Sequence, residues 1–245
     1  MSKHLEYIEN IEKIIARIKT EGEASLEAAA DLFYKTIKGG SNIFLFGTGH
    51  SHMLAEELFY RAGGLVNIRP VLETSLMLHE SASKSTQIER LEGYADILFD
   101  RYKMKSGDTI VIISNSGRNG VIVEMAALCK ERGLNIIALT NMEHTKAGVS
   151  RHKSGKKLYE FADVVLDNMG VLGDACVEID GIEGKICPTS TVIGSMLLNA
   201  VVARCVEKCA ADGIVPDHFS SSNVDGGDEI NEALLKKYGG EILHL

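Results

Sequence analysis

The 245 residues are 45% apolar and 24% charged, and 34 acidic side chains outnumber 26 basic ones, which gives a net charge of −8. An acidic chain lacks the basic face of a general nucleic-acid binder, so nucleic acid is not an expected partner. A chain of this length buries a substantial core, which makes disulfides or a structural metal unnecessary for folding. The negative net charge does not exclude binding of a small anionic ligand, because backbone N–H groups hold anions without net positive charge.

The sequence predicts a cytoplasmic protein without a membrane partner. No apolar run approaches the ~20 residues of a membrane span. Residues 1–20 are charged throughout and lack the apolar core of a signal peptide. The five cysteines are an odd number without a paired framework, which favours reduced thiols: Cys129, Cys176, Cys187, Cys205 and Cys209.

Strand and helix patterns alternate along the chain. Two helices are predicted in residues 3–19 and 23–38, ending at Gly39-Gly40. Continuous apolar strands that alternate with helices predict an α/β fold with a parallel sheet covered on both faces. The predicted strands are 42–46, 109–113, 135–139 and 163–166, with 175–179 as a further candidate, and a long helix follows Pro188 to about residue 211.

Three of the predicted helices begin with small polar residues. Ligands of parallel α/β sheets bind beyond the carboxyl ends of the strands, where hydroxyls and free first-turn N–H groups form a cage for an anion. The alternative is that Ser51, Ser114 and Thr189 are ordinary N-caps. Three converging turns favour anion binding over capping: residues 47–51 (GTGHS), 114–117 (SNSG) and 188–191 (PTST).

Other phosphate-binding signatures fit this chain poorly. A P-loop requires a Gly-Lys-Ser/Thr ending, which is absent. The turn after the first strand has His52 where a dinucleotide fingerprint has its third glycine. A nucleotide-dependent enzyme is therefore not expected.

The three turns, in this order, resemble the sugar isomerase (SIS) domain family: GTGHS after the first strand, SNSGRN after 109–113, and CPTSTVIGSMLLNA near the C-terminus. The resemblance covers about residues 30–210, and the whole chain is similar to bacterial phosphosugar-binding and isomerase-like proteins of that family. It implies a three-layer sandwich around a mainly parallel five-stranded sheet, with extra N-terminal helices. We expect one SIS domain over residues 1–245, with a helical pair in 1–40, a core in 41–211 and an extension in 212–245.

The resemblance implies a phosphosugar site, although some positions depart from the family. The family loop reads Ser-x-Ser-Gly-Glu/x-Thr, whereas Arg118 and Asn119 hold the last two places here. Arabinose-5-phosphate isomerases carry a lysine at the position of His50 and an acid at the position of Arg118. Phosphoheptose isomerases carry a histidine near the position of Ser195. The phosphate cage therefore carries over, but those catalytic sets do not. The expected cage is Gly47, Thr48, Gly49, His50, Ser51, Ser114, Asn115, Ser116, Gly117, Arg118, Asn119, Thr189 and Ser190.

Aldose–ketose isomerisation needs a base that moves a proton between C1 and C2 and an acid at the carbonyl oxygen. The first candidates are His79 and Glu80, in the long polar connection of residues 70–94, with a surface pair as the alternative reading. SIS enzymes often complete a site from a neighbouring subunit, which makes His218 or Asn223 of the late polar segment a further candidate.

Other carboxylates and metal ligands receive less support. Glu56 and Glu57 follow the first turn and lie near enough to be considered. Glu89 and Glu92, three residues apart, are expected on a solvated helix face. No metal is expected, because the pairs His50/His52 and Cys205/Cys209 lack further ligands at characteristic spacing.

The leading hypothesis is a cofactor-free sugar-phosphate isomerase, a homodimer or homotetramer with shared sites, whose ligand is a small phosphorylated sugar. The alternatives are a non-catalytic phosphosugar sensor and an SIS lyase or etherase that acts on an amino-sugar phosphate. Regulators with SIS domains usually add a helix-turn-helix reader. The N-terminal 40 residues are too few for such a reader and have no basic recognition face, which favours the enzyme.

Overall fold

The computed structural model describes residues 2–245 and places a five-stranded parallel sheet at the centre of the molecule. The α/β fold class and the five-stranded parallel sheet predicted from the sequence are confirmed. The strands are β1 (Ile43–Gly47), β2 (Ile68–Pro70), β3 (Thr109–Ile113), β4 (Asn135–Thr140) and β5 (Val164–Asp167). Their order across the sheet is β2-β1-β3-β4-β5.

Helices cover both faces of the sheet, which makes three layers. Alternating side chains of β1 face opposite layers: Ile43 and Leu45 join one apolar core, while Phe44 and Phe46 join the other. Four helices pack on the first face: the two N-terminal helices α1 and α2, together with α3 and α8. Helices α5 and α6 pack on the second face. The helices are α1 (Lys3–Glu21), α2 (Glu23–Lys38), α3 (Met53–Leu58), α4 (Ala82–Ile88), α5 (Tyr94–Arg101), α6 (Gly120–Glu131), α7 (Met142–Ala147), α8 (Ser190–Ala211) and α9 (Gly227–Tyr238).

The predicted N-terminal helical pair forms as α1 and α2, which only Gly22 separates. Helix α2 buries Ala29, Ala30 and Phe33 in the core of the first face, where it packs along α8. The small side chains of Ala29 and Ala30 allow the two helices to approach closely, so the apolar pattern of residues 23–38 serves the core of this chain.

The edge strand β2 was missed by the sequence analysis, and the candidate strand 175–179 is not part of the sheet. Strand β2 has only three residues, with an arginine and a proline among them. Such a run carries no apolar pattern, and proline is tolerated at a sheet edge. Residues 175–178 instead form β6 (Ala175–Glu178), which pairs antiparallel with β7 (Lys185–Pro188) in a separate hairpin.

The C-terminal segment folds back on the amino-terminal side of β2. Leu65 forms a β-bridge with His218, and the backbone N–H of Val66 donates to the carbonyl of Asp217. Helix α9 follows and adds Leu234 to a small apolar cluster with Val66 and Phe219. Within residues 2–245, no helix combines the length and the apolar character that crossing a membrane requires.

Candidate functional site

The polar turns converge at the carboxyl edge of the sheet, as the sequence predicts. Strands β1 and β3 are neighbours in register, so the turns that follow Gly47 and Ile113 leave the sheet side by side. The N-terminus of α8 meets them there. Side chains from all three turns line one small cavity, together with Asn168 beyond β5: Ser51, Leu54, Ile113, Asn115, Leu139, Asn168, Ser190 and Thr191.

The residue that directly precedes each of the three helices does not cap it with its side chain. These residues are Thr48 before the 3₁₀ turn Gly49–His52, Asn119 before α6 and Thr189 before α8. Other parts of the chain engage some of the first-turn N–H groups: those of Thr189 and Ser190 donate to Asp174, and that of Val121 donates to the Glu89 carbonyl at 3.2 Å. Ser114, one of the capping candidates, makes a local bond of that kind: its hydroxyl accepts from the backbone N–H of Gly117 at 3.1 Å and shapes the loop of residues 114–119.

A chain of three asparagines fixes the floor of the cavity. The Asn168 amide donates to the Asn115 side-chain oxygen at 2.8 Å, and the Asn141 amide donates to the Asn168 oxygen at 3.0 Å. Asn141 and Asn168 are almost fully buried, which makes this network costly to disturb. The loop after β3 is therefore held in one orientation before any ligand arrives.

Glu89 lies between two of the expected cage residues, which the sequence analysis did not anticipate. Its carboxylate accepts from the Thr48 hydroxyl at 2.8 Å and from the Asn119 amide at 2.8 Å. Burial raises the pKa of Glu89 above its usual value, partly opposed by the Thr48 hydrogen bond. The expected solvated helix face for Glu89 is therefore wrong, because the residue follows α4 and turns inward. A half-buried carboxylate with a raised pKa is suited to proton transfer.

Three guanidinium groups surround the loop after β3. Arg151 donates to the Asn119 side-chain oxygen at 3.0 Å, and its pKa is lowered by burial and then by the charges of Arg118 and Arg90. The Arg118 Nε atom is buried and has no hydrogen-bond partner among residues 2–245. An acidic protein thus concentrates positive charge at this loop. The sequence analysis anticipated only Arg118, because the other two lie far apart in the chain.

At the third turn, a carboxylate of the chain itself holds the N-terminus of α8. Asp174 accepts from the backbone N–H of Thr189 at 3.0 Å and of Ser190 at 2.8 Å, and from the Ser190 hydroxyl at 2.6 Å. An acidic group is favourable at a helix N-terminus. Thr189 and Ser190 engage Asp174, and Ser190 and Thr191 line the cavity. A role of Thr189 and Ser190 in ligand binding stays a prediction.

His79 and Glu80 lie beside the first turn, and both are exposed. The preceding residue, Leu78, is the neighbour that a Cβ at Gly49 would meet. Glu80 pairs with Lys84 at 2.5 Å, and this hydrogen bond lowers the pKa of the carboxyl. Their role as catalytic residues stays a prediction. A lowered pKa makes Glu80 a weaker base than Glu89.

His218 lies away from this edge within one chain. Its bridge partner Leu65 precedes β2, and β2 enters the sheet at the level of Ile43, the first residue of β1. His218 is therefore at the amino edge, opposite the turns. A contribution to a neighbouring subunit's site stays a prediction, as does one from Asn223, which is exposed.

The carboxylates of α3 are engaged in other ways. Glu57 pairs with Arg61 and accepts from the Asn199 amide of α8 at 3.2 Å. Glu56 is exposed and lies 3.8 Å from the ring of His52. No group of three or more His, Cys, Asp or Glu side chains within residues 2–245 is arranged to hold a metal ion.

His52 is buried, and its Nε2 atom has no partner among the described residues. Burial lowers the pKa of His52, so the unfolded chain binds a proton at a higher pH than the folded chain. Stability from this group is complete above the ordinary histidine pKa and falls as pH decreases below it. We expect the stability of the wild type to fall relative to His52→Asn by up to about 1.4 kcal/mol per pH unit below pH 6.5. Urea unfolding at pH 7 and pH 5.5 measures this, and equal pH slopes in the two proteins would contradict it.

Gly120, the first residue of α6, allows the chain that carries Glu89 to cross the helix end. A Cβ at Gly120 would lie 2.6 Å from the Leu91 carbonyl oxygen and 2.7 Å from that of Arg90. We expect Gly120→Ala to lower the free energy of unfolding by about 1–3 kcal/mol, as overpacking does. Gly240→Ala is the matched control, because a Cβ there meets nothing within 4 Å. Equal stability of the two variants in urea titrations would contradict the close approach.

Comparisons with known proteins agree with this architecture. The sequence profile of the SIS domain matches residues 6–141. A UPF0309 protein of Shouchella clausii is 40% identical over 100% of both chains, and one of Caldanaerobacter subterraneus is 43% identical over 98% of both. A solved structure of a phosphoheptose isomerase from Francisella tularensis superposes with a TM-score of 0.54 at 16% identity, over 84% of this chain and 100% of that one, and so shares the fold. The chain belongs to the SIS-domain family and, within it, to the UPF0309 proteins.

Proposed function

We propose that this chain binds the phosphate of a phosphorylated sugar at the carboxyl edge of its sheet and interconverts the aldose and ketose forms without a cofactor. The observation that carries the proposal is the convergence of three polar turns on one cavity, with Glu89 hydrogen-bonded to Thr48 and Asn119 beside them. The shared fold with a phosphoheptose isomerase is compatible with this reading, although the chemistry rests on the residues of this chain.

The loop after β3 is the proposed phosphate anchor. Ser114 shapes it, and the half-exposed Ser116 offers a hydroxyl. Arg118 supplies positive charge with a guanidinium fork that suits a phosphate. An anchored phosphate fixes the far end of the sugar, so that C1 and C2 are presented to a group outside the cage.

Glu89 is the proposed base. In its ionised form it removes the proton from C2 of the aldose, which leaves an enediol once the carbonyl oxygen is protonated. Return of that proton to C1, with loss of the proton on the C2 hydroxyl, gives the ketose. Thr48 and Asn119 hold the carboxylate in one orientation. His50 and His79, which are exposed on the same side, are the candidate acids at the carbonyl oxygen.

Two measurements test the function. Thermal unfolding is followed with pentose, hexose, heptose and amino-sugar phosphates, with free sugars and inorganic phosphate as controls. A ligand at 100 times its Kd adds ~2.7 kcal/mol of stability. The stabilising compound is then incubated with the protein in D₂O. We expect its isomer to appear with deuterium at C1 or C2, because the enediol exchanges its proton with solvent.

The outcomes separate the candidate functions. If a sugar phosphate stabilises the protein but neither its isomer nor deuterium incorporation is detected, the protein is a phosphosugar sensor and not an isomerase. Release of an acid or alcohol from an amino-sugar phosphate would instead indicate a lyase or etherase. Absence of stabilisation by every phosphorylated compound would contradict the phosphate site itself.

A further inference from the structure

The β6–β7 hairpin places two of the five cysteines opposite each other. Ala175 pairs with Pro188 and Val177 pairs with Ile186 in this antiparallel ladder, so the register places Cys176 and Cys187 between these two pairs, at positions across from each other. The Cα atoms of directly opposite residues lie about 4.5–5.5 Å apart. This range falls within the ~4.4–6.8 Å that a disulfide spans. The Cys176 thiol already donates to the carbonyl oxygen of Cys187 at 3.4 Å.

These two thiols are also the accessible ones. Cys176 and Cys187 are half-buried, whereas the remaining three cysteines are buried in the two main cores. Helix α1 covers one side of the hairpin, where Tyr7 donates to the Pro188 carbonyl at 3.0 Å and Asn10 donates to the Cys176 carbonyl at 3.1 Å. A small oxidant therefore reaches the pair from solvent without opening a core.

The backbone of Cys187 has an unusual conformation. Its φ is +63°, in the left-handed region that glycine adopts freely and other residues seldom do. Asp174, at the same end of the ladder, has a φ of +72°. Backbone strain that persists in a folded protein points to a function for the side chain concerned. At position 187 that side chain is a thiol.

The hairpin ends at the N-terminus of α8. Asp174 is two residues before Cys176, and Thr189 is two residues after Cys187, so the hydrogen bonds of Asp174 to the first turn of α8 close the base of the hairpin. A covalent bond between the two strands adjacent to this base would hold Asp174 in place. It would thereby keep the third turn of the cavity closed by the chain's own carboxylate.

We propose that Cys176 and Cys187 are a redox-active dithiol, which forms a reversible cross-strand disulfide by exchange with a low-molecular-weight disulfide such as glutathione disulfide. The Cys187 thiolate attacks one sulfur of the oxidant; a mixed disulfide forms, the oxidant's S–S bond breaks and one glutathione thiolate leaves. The deprotonated Cys176 sulfur then attacks Cys187, and the second glutathione thiolate leaves. The two cysteines lose two electrons, the oxidant gains them, and the two thiol protons pass to the released glutathione.

The order of attack follows from the surroundings of the two thiols. Burial raises the pKa of Cys176, which keeps this thiol protonated and hydrogen-bonded to the Cys187 carbonyl. Cys176 is thus the resolving thiol, already in position when the mixed disulfide forms on Cys187. Reversible disulfides of this kind in reducing compartments are usually sensors or catalysts rather than structural bonds.

The test equilibrates the whole protein with glutathione mixtures from strongly reducing to oxidising, followed by alkylation and mass spectrometry. We expect the number of free thiols to fall from five to three. Trypsin cleaves after Lys185, between the two cysteines, so peptides 158–185 and 186–204 are recovered as one linked species only when the disulfide is present. Five free thiols in the most oxidising mixture, or glutathione adducts without the linked species, would overturn the proposal.

Three variants and a second readout sharpen the result. Cys187→Gly suits the left-handed backbone and therefore keeps the fold while abolishing the link, and Cys176→Ser abolishes it by removing the resolving thiol. Cys129→Ala leaves the link intact. Hydrogen exchange of peptide 186–204 is expected to slow on oxidation in the wild type but not in Cys187→Gly. If hydrogen exchange of this peptide does not change on oxidation of the wild type, the disulfide does not stabilise the N-terminus of α8. None of these readouts depends on sugar binding, so their failure is distinct from failure of the proposed isomerase.

Discussion

Replacing Ser116 with glutamate is expected to weaken the binding of a phosphorylated sugar by at least about 100-fold. The new carboxylate would project from the loop after β3 into the space proposed for the phosphate. Two like charges 4 Å apart repel by about 4 kcal/mol at an effective dielectric constant of ~20. That energy corresponds to roughly three orders of magnitude in Kd. Because Ser116 is half-exposed, solvent and salt screen part of this repulsion, and the expected loss of affinity is therefore set at about 100-fold or more.

Isothermal titration with the stabilising sugar phosphate measures this loss. Thr20→Glu is the matched control. Thr20 is exposed near the end of α1, so this substitution adds the same charge away from the turns. Ser116→Ala removes only a hydroxyl and is expected to fall between the wild type and the glutamate variant. Wild-type affinity in Ser116→Glu would show that the phosphate does not bind at this loop.

Replacing Glu89 with glutamine is expected to lower turnover by about 10²–10⁴-fold, the usual contribution of a general base, while leaving ligand affinity nearly unchanged. Glutamine preserves the local hydrogen bonds. Its oxygen accepts from Asn119, as the carboxylate does, and its amide donates to the Thr48 hydroxyl, which accepts as readily as it donates. The variant therefore removes the base without displacing the turns. Full turnover in Glu89→Gln would rule Glu89 out.

The same substitution is expected to raise the free energy of unfolding at neutral pH. Because burial raises the pKa of Glu89, ionisation of this group is less favourable in the folded chain than in the unfolded chain. This cost is complete above the raised pKa and disappears below the ordinary glutamate value of about 4.3. Urea unfolding at pH 7 and pH 4 measures it. A variant less stable than the wild type at pH 7 would contradict the desolvation of Glu89.

Glu80→Gln provides the comparison for both turnover and the free energy of unfolding. Glu80 is exposed and paired with Lys84 across solvent, so its substitution is expected to leave the free energy of unfolding nearly unchanged. If Glu80 is the base, as the sequence pattern first indicated, turnover falls in this variant and not in Glu89→Gln. The pair of variants therefore decides between the two carboxylates.

Much of the candidate site was predictable because it is encoded locally. The turns at 47–51 and 114–119 consist of glycine and small polar residues directly after apolar strands, and their convergence follows from parallel strands that end at one edge. The contribution of Glu89 was not predictable in this way. Its spacing from Glu92 fits an exposed helix face, and only the end of α4 at Ile88 turns the carboxylate inward.

The sequence by itself determined the α/β class, the two N-terminal helices and the location of the polar turns, because apolar periodicity and glycine placement act within a few residues of each other. The tertiary structure alone decided which distant groups meet. Asp174 reaches the N-terminus of α8 only because the chain returns as a hairpin, and Glu89 reaches Thr48 only because residues 89–91 cross the start of α6. Such contacts depend on loop conformation and on the burial of charge, neither of which leaves a periodic pattern in the sequence.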